Sequence, residues 1–268
     1  LTVTKAVLTA TANNQTKVYG DANPALTINY TGFKNGETSA VILTPPTAST
    51  TATLTSSVGT YPITLAGGLN GNYSFTLVDG TLTVTQATIV ATADNKTRVY
   101  GDPNPAFTIT YTGFRNGETS AVIDLLATAT SSAVATTGVG TYPIVPSGGS
   151  DNNYVITYAN GTLTITQATL TVTADNQTRA YGDVNPTLTV SYSGFKNSET
   201  SAVLTTLPTA TTVAINTSIV GTYPIVPSGG VSGNYAFTYV NGTLTVTKAV
   251  LTATANNQTK VYGDANPA

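Results

Sequence analysis

The triplet Tyr19-Gly20-Asp21 returns as Tyr100-Gly101-Asp102, Tyr181-Gly182-Asp183 and Tyr262-Gly263-Asp264, each copy 81 residues after the last and without a gap. Gly32-Phe33, Gly113-Phe114 and Gly194-Phe195 keep the same interval, as do Gly59-Thr60-Tyr61-Pro62-Ile63 and its copies beginning at Gly140 and Gly221. A fixed period of this size confines the chain to a tandem array of one supersecondary unit. The 25 residues from Leu1 match those from Leu82 and Leu163 at 17 and 16 positions, but match Leu244–Ala268 at all 25. A second period of three repeats, 243 residues, is therefore superimposed on the first.

Within one repeat the patterning is that of strands. Leu26, Ile28 and Tyr30 alternate with Thr27, Asn29 and Thr31, and Phe107, Ile109, Tyr111 and Leu188, Val190, Tyr192 repeat the alternation. Period two with one apolar face predicts half-buried strands. The runs Tyr73–Val78 and Thr81–Thr85 flank Asp79-Gly80, and Asn160-Gly161 and Asn241-Gly242 hold the same place later. Two-residue loops of this kind predict type I′ hairpins. Between Asn35 and Ile42 a polar residue followed by a short apolar patch predicts one or two helical turns. In Leu1–Ala12 the apolar phase moves from odd to even positions at Lys5, and Gln86, Gln167 and Lys248 stand at the equivalent places. A phase change flips the buried face, so each of these residues predicts a junction. The predicted division is 1–5 as the end of a preceding module, 6–85, 86–166 and 167–247 as three modules, and 248–268 as the start of a next one. Without a Gly-, Ser- or Pro-rich linker the modules should be held stiffly as a straight rod.

Composition removes most chemistry. The chain has no Cys, Met, Trp or His, 8% charged residues and a net charge of -2. That excludes a disulfide framework, the usual zinc and haem ligands, His-based catalytic triads and a basic face for nucleic acid. No run approaches 18 apolar residues, so no membrane insertion is expected in this segment. An enzyme working by paired carboxylates is disfavoured, since the same few acids recur every 81 residues.

Taken together, Tyr-Gly-Asp-x-Asn-Pro, Tyr-x-Gly-Phe-x-Asn-Gly-Glu-Thr, Gly-Thr-Tyr-Pro-Ile and Asn-Gly-Thr-Leu-Thr-Val-Thr resemble the MBG domain, found as tandem arrays in very large bacterial surface and adhesin-like proteins. Ser198 departs from it where Gly36 and Gly117 stand, and Asp79 replaces Asn before Gly80. The resemblance implies an extracellular or cell-surface bacterial role and a β-grasp-like arrangement, with which the order strand, strand, short helix, strands agrees. The fold class expected is mainly β, small sheet units with a short helix, β-grasp-like or alternatively an immunoglobulin-like sandwich.

Four charged positions recur: Lys17/Arg98/Arg179, Asp21/Asp102/Asp183, Lys34/Arg115/Lys196 and Glu37/Glu118/Glu199. With Asn23, Asn104 or Asn185, the aspartates offer a thin oxygen set for calcium. The favoured reading makes Asp21, Asp102 and Asp183 structural, accepting backbone N–H bonds in a turn ahead of Pro24, Pro105 and Pro186. Gly80, Gly161 and Gly242 are expected to be structural turn residues likewise. The recurrent Tyr30, Tyr61 and Tyr73 positions and their copies are in phase with apolar neighbours, which favours the core over a sugar platform. Arginine at positions 98, 115 and 179 argues against an isopeptide crosslink, and the many Asn-x-Thr triplets are uninformative in so Asn- and Thr-rich a chain.

No catalytic residue, cofactor or metal is expected. The expected role is a structural repeat segment of an extracellular fibre or adhesin stalk, a stiff spacer, in a native chain several times larger than 27.3 kDa. The alternative is a multivalent carbohydrate- or protein-binding adhesion module. Expected partners are other modules of the same long chain, with neighbouring fibres and a glycan or cell-surface ligand as further candidates.

Overall fold

The computed structural model describes residues 1–268. The first module contains seven strands: Ala6–Ala12 (β1), Gln15–Val18 (β2), Ile28–Thr31 (β3), Thr47–Thr50 (β4), Gly59–Ala66 (β5), Tyr73–Val78 (β6) and Gly80–Thr85 (β7). They form a three-stranded sheet, β3-β1-β6, and a four-stranded sheet, β2-β7-β5-β4. The second and third modules repeat both orders with seven strands each, beginning at Ala87–Ala93 and Ala168–Ala174.

Two pairings in each sheet set explain the path of the chain. β1 runs parallel to β6, from Ala6 opposite Tyr73, and β2 runs parallel to β7, from Gln15 opposite Leu82. The chain changes sheet at Asn13-Asn14, where Asn13 N–H donates to Thr27 O at 2.9 Å. Asn14 Oδ1 accepts from Thr81 N–H at 2.8 Å, tying the crossover to the other sheet. Between the sheets Ala10, Ala12, Ala52, Ile63, Leu65 and Leu82 form a core. The alternation along β3 has the predicted phase, Ile28 and Tyr30 facing inward and Asn29 and Thr31 exposed. The tyrosines at 73, 154 and 235 are buried.

The predicted hairpin at Asp79-Gly80 is not formed. β6 and β7 lie in different sheets and do not pair; Gly80 stands opposite Ile63 of β5. Gly80, Gly161 and Gly242 also lack the positive φ that a type I′ turn requires. Glycine is needed for another reason: a methyl group on Gly80 would lie 2.5 Å from the carbonyl oxygen of Ala12, and the backbones of Ala93 and Ala174 crowd Gly161 and Gly242 in the same way. The residues mark a crossing between sheets with close backbone approach. The positive-φ dipeptide is instead Asn35-Gly36, at φ 54° and 71°, closed by Glu37 N–H donating to Lys34 O at 2.9 Å. Ser198 takes φ 60° where the other modules have glycine. Because that turn occupies the start of the expected helical segment, only a three-residue 3-10 turn remains, Ser39–Val41, capped by Thr38.

The chain divides into two compact units. One comprises 1–97, 104–133 and 141–164; the other comprises 98–103, 134–140 and 165–268.

Candidate functional site

In the first unit, Thr85 ends β7 and Ala87 begins the next strand, so Gln86 alone separates two modules. Its side-chain amide donates to the carbonyl oxygens of Asp151, Asn152 and Tyr154. Leu82 and Val84 face inward before it, and Ala87 and Ile89 after it. Val84, Tyr19, Ala87, Ile89, Ile123 and Tyr154 form one continuous core across this junction. A stem with a single residue between strands and an apolar core around it has little freedom to bend.

The polar part of the junction is built on the repeated triplet. Tyr19 is held by its N–H donating to Thr85 O at 2.8 Å, and its ring meets Tyr154 edge-on, centroids 5.4 Å apart at 82°. This is the favoured edge-to-face geometry of aromatic pairs. Tyr19 OH donates to Glu118 Oε1 at 2.7 Å, and Tyr154 OH donates to Glu118 Oε2 at 2.5 Å. One carboxylate thus bridges two phenols, one from each module. Both hydroxyls are short, charge-assisted donors. The hydrogen bond to Glu118, with burial second, pushes the Tyr19 phenol up to about 12; burial, with Glu118 second, pushes Tyr154 up to about 12.

The aspartate of the triplet also faces the neighbouring module. The Tyr-Gly-Asp turn is closed by backbone, Asp21 N–H to Val18 O at 3.0 Å, while the Asp21 carboxylate pairs with Arg115 at 3.3 Å. This corrects the expectation that the carboxylate itself accepts backbone N–H groups in the turn. The recurrent contact ahead of the proline belongs to Asn23, whose Nδ2 donates to Ala52 O at 2.6 Å, and Asn104 and Asn185 do the same to Ala133 and Ala214. The stem of Arg115 closes directly over Gly20, leaving no room for a side chain there. Val58 N–H donates to Asn153 Oδ1 at 3.0 Å and completes the contact.

The second unit contains the same constellation 81 residues on. Tyr100 OH donates to Glu199 Oε1 at 2.6 Å and Tyr235 OH to Glu199 Oε2 at 2.5 Å. Tyr100 meets Tyr235 edge-on at 5.6 Å and 85°. Asp102 pairs with Lys196 at 3.0 Å, the stem of Lys196 covers Gly101, and Val139 N–H donates to Asn234 Oδ1 at 3.0 Å. Asp183 closes its own turn through Ala180 O at 3.3 Å.

The other recurrent basic position, Lys17/Arg98/Arg179, is used within the module. Lys17 is buried, and its ammonium donates to Asp21 O at 3.1 Å and Thr53 O at 2.5 Å. Arg179, also buried, donates to Asn185 Oδ1 at 2.7 Å and to the carbonyls of Ala180 and Ile215. Backbone carbonyls compensate the buried charge, as its burial demands. The recurrence of the Tyr-Gly-Asp triplet and of the Lys34 and Glu37 positions is legible in the sequence, but only Asp21, Asp102 and Asp183 were expected to have a role there, in local turns. Only their shared 81-residue period signalled a common purpose.

A family model, MBG domain (YGX type), matches residues 8–83, 89–164 and 170–245. No curated protein matches the chain. Among solved structures, Drosophila N-cadherin EC1-4 is similar with a TM-score of 0.30 at 8% identity, over 92% of this chain and 76% of that one. The I9-I11 tandem of titin is similar with a TM-score of 0.22 at 13% identity, over 89% and 97%.

Proposed function

The chain belongs to the MBG domain (YGX type) family, in three tandem copies, and from that premise we propose that it is a structural repeat segment of an extracellular bacterial fibre or adhesin stalk, acting as a stiff spacer. The observation that carries this reading is the carboxylate bridge: Glu118 joins Tyr19 to Tyr154, and Glu199 joins Tyr100 to Tyr235 by the same atoms. A protein that spends its recurrent tyrosines and acids on fixing one module against the next is organised for holding distance and orientation. The module itself, two facing sheets with no α-helix, we assign to the immunoglobulin-like sandwich rather than the β-grasp arrangement. Successive modules act as each other's partners, and no residue set in the chain is assigned to catalysis.

Residual dipolar couplings test the spacer reading on the full chain. The alignment tensors fitted separately to residues 6–85 and 86–166 should share one orientation and magnitude. Tensors that differ between the two modules would overturn it, since a junction that bends freely holds neither distance nor direction. Replacing Glu118 by Gln should lower the agreement between the tensors.

A further inference from the structure

Asparagine precedes glycine at Asn35-Gly36, Asn70-Gly71, Asn116-Gly117, Asn160-Gly161 and Asn241-Gly242. The amide of such an asparagine is chemically labile, because glycine leaves the following backbone nitrogen unhindered to attack the side-chain carbonyl carbon. The fold treats these steps unequally. Gly161 and Gly242 are buried where the chain crosses between sheets, and the carbonyls of Ala93 and Ala174 press on them. Gly242 is also held in its ladder opposite Ile225. A peptide unit fixed in this way has no room to fold into a ring. Asn70 is protected from the other side: it is buried, its Nδ2 donates to Val41 O at 2.6 Å, and its Oδ1 accepts from the N–H groups of Asn72 and Tyr73.

Asn35-Gly36 and Asn116-Gly117 have neither protection. Both residues of each step are exposed, and a substituent on either glycine would meet nothing within 4 Å. The steps sit at the tips of turns, at φ 54° and 71° in the first module and 53° and 73° in the second. Each turn is closed by one backbone bond of 2.9 Å, from Glu37 N–H to Lys34 O and from Glu118 N–H to Arg115 O. No hydrogen bond engages the N–H of Gly36 or Gly117, so the attacking nitrogen is available. In the second module the residues on either side of the step are the two that grip the first module: Arg115 pairs with Asp21, and Glu118 accepts from Tyr19 and Tyr154.

We propose that Asn116-Gly117 is a site of spontaneous covalent modification, a deamidation whose only co-reactant is water, and that its products loosen the junction between the first two modules as the protein ages. The backbone nitrogen of Gly117 bonds to Cγ of Asn116, the Cγ–Nδ2 bond breaks, and the amide leaves as ammonia carrying the proton from that nitrogen. Water then opens the resulting succinimide. Addition at Cγ leaves aspartate; addition at the α-carbonyl leaves isoaspartate, with the chain routed through Cβ and Cγ. Either product sets a new carboxylate between Arg115 and Glu118, where it competes with Asp21 for the guanidinium and repels the bridging carboxylate. Isoaspartate also adds one carbon to the backbone of a turn that fixes the spacing of those two residues. Asn35-Gly36 converts by the same chemistry. The third module has Ser198, at φ 60°, after Asn197. Its Cβ hinders the attacking nitrogen, so the junction built on Lys196 and Glu199 outlasts the one built on Arg115 and Glu118. The loss of junction rigidity rests on the spacer reading; the site selectivity does not.

The test ages the full chain in buffer at pH 8 and follows each site by peptide mass mapping, with isoaspartate marked by an isoaspartyl methyltransferase. The amides of Asn35 and Asn116 should be lost first, Asn197 more slowly, while Asn70, Asn160 and Asn241 are retained. Gly117→Ser should preserve Asn116, and Ser198→Gly should make Asn197 as labile as Asn116. The serine variant folds by precedent, since the third module already carries serine in that turn. Dipolar couplings then compare residues 6–85 with 86–166: the agreement between their alignment tensors should fall in the aged parent and persist in aged Gly117→Ser. Retention of the Asn116 amide, loss at Asn160 and Asn241 at the same rate, or equal tensors in the aged parent and the aged variant would each overturn the proposal. The spacer reading is judged on fresh protein and this proposal on the difference between aged parent and aged variant, so the two failures are distinguishable.

Discussion

Tyr19 and Glu118 are 99 residues apart in sequence, yet the phenol donates to the carboxylate at 2.7 Å. Glu118 simultaneously accepts from Tyr154, so removal of either phenol leaves a partly buried charge with one donor fewer. Hydrogen bonds to charged groups contribute about 1.5–3 kcal/mol. Tyr19→Phe and Glu118→Gln should each lower stability by about that amount. In a double-mutant cycle followed by urea denaturation the two should couple by about 0.5–3 kcal/mol. Tyr181→Phe, at an exposed ring, should stay within about 0.5 kcal/mol of the parent. Additive effects of Tyr19→Phe and Glu118→Gln would show that the bridge is not energetically a unit.

Alkaline stability should report the same groups. Tyr19, Tyr154 and Tyr235 are each pushed up to about 12 from an ordinary value of 10.0, the first chiefly by its hydrogen bond to Glu118 and the other two chiefly by burial, then by Glu118 and Glu199. A phenol whose pKa is higher folded than unfolded is stabilising in its neutral form. That contribution is fully present below pH 10 and is lost as pH rises toward about 12. The urea midpoint should therefore be flat from pH 8 to pH 9.5 and fall steeply above pH 10. Tyr19→Phe should make the fall shallower; an unchanged slope would mean that other groups govern it.

At the acid end the sign is reversed. Hydrogen bonds from Thr108 and Thr110 hold the Asp94 carboxyl below its usual range, and those from Ser191 and Thr189 do so for Asp175. Their contribution is present above the ordinary value of 3.8 and is lost as pH falls through the lowered folded values. The first module has Asn13 in this place, with one bond to Thr27 at 2.8 Å, and contributes no such term. Asp94→Asn should flatten the acid limb of a pH–stability curve and leave the alkaline limb unmoved.

Much of this architecture is written locally. The 81-residue period, the alternation along Leu26–Tyr30 and the inward phase of Tyr73 follow from spacing alone, because each concerns which side of a pleat a residue occupies. What local spacing does not carry is which strand pairs with which. Asn35-Gly36 and Asp79-Gly80 present the same turn chemistry, but the first adopts the primed turn and the second crosses between sheets, since β7 finds better partners in β5 and β2. The bridge was illegible for a related reason. Tyr19 and Glu118 each look like ordinary members of a turn, and their meeting depends on one module being seated against the next.

Metal should be irrelevant to stability. The carboxylates of Asp21 and Asp102 face Arg115 and Lys196, with both partners of each pair partly exposed. Exposed pairs of this kind contribute about 0–1 kcal/mol and weaken with salt. Asp102→Ala should cost no more than about 1 kcal/mol at low salt and less at 1 M salt. Chelator should leave the melting temperature unchanged; a drop with EDTA that calcium restores would show that the aspartates serve a cation instead.

The crossing glycine gives the sharpest contrast between two substitutions of identical chemistry. Gly71 and Gly80 lie nine positions apart in one module, neither at positive φ, so alanine fits the backbone of both. At Gly71 the new methyl group would meet nothing within 4 Å. It reduces the freedom of the unfolded chain and should stabilise by about 0.4–1 kcal/mol. At Gly80 the methyl group would stand 2.5 Å from Ala12 O and 3.0 Å from Ala12 C, both backbone atoms of the strand in the opposite sheet. Neither can swing away as a flexible side chain would. Relief requires β1 and β7 to separate where the two sheets are joined, and Thr81 N–H would be drawn off Asn14 Oδ1, now at 2.8 Å. Overpacking costs about 1–3 kcal/mol and the loosened hydrogen bond about 1 kcal/mol more. Thermal unfolding of the two variants should therefore move in opposite directions. A Gly80→Ala protein as stable as its parent would mean that the sheets can part at this crossing without cost, and that glycine is there for some reason other than close approach.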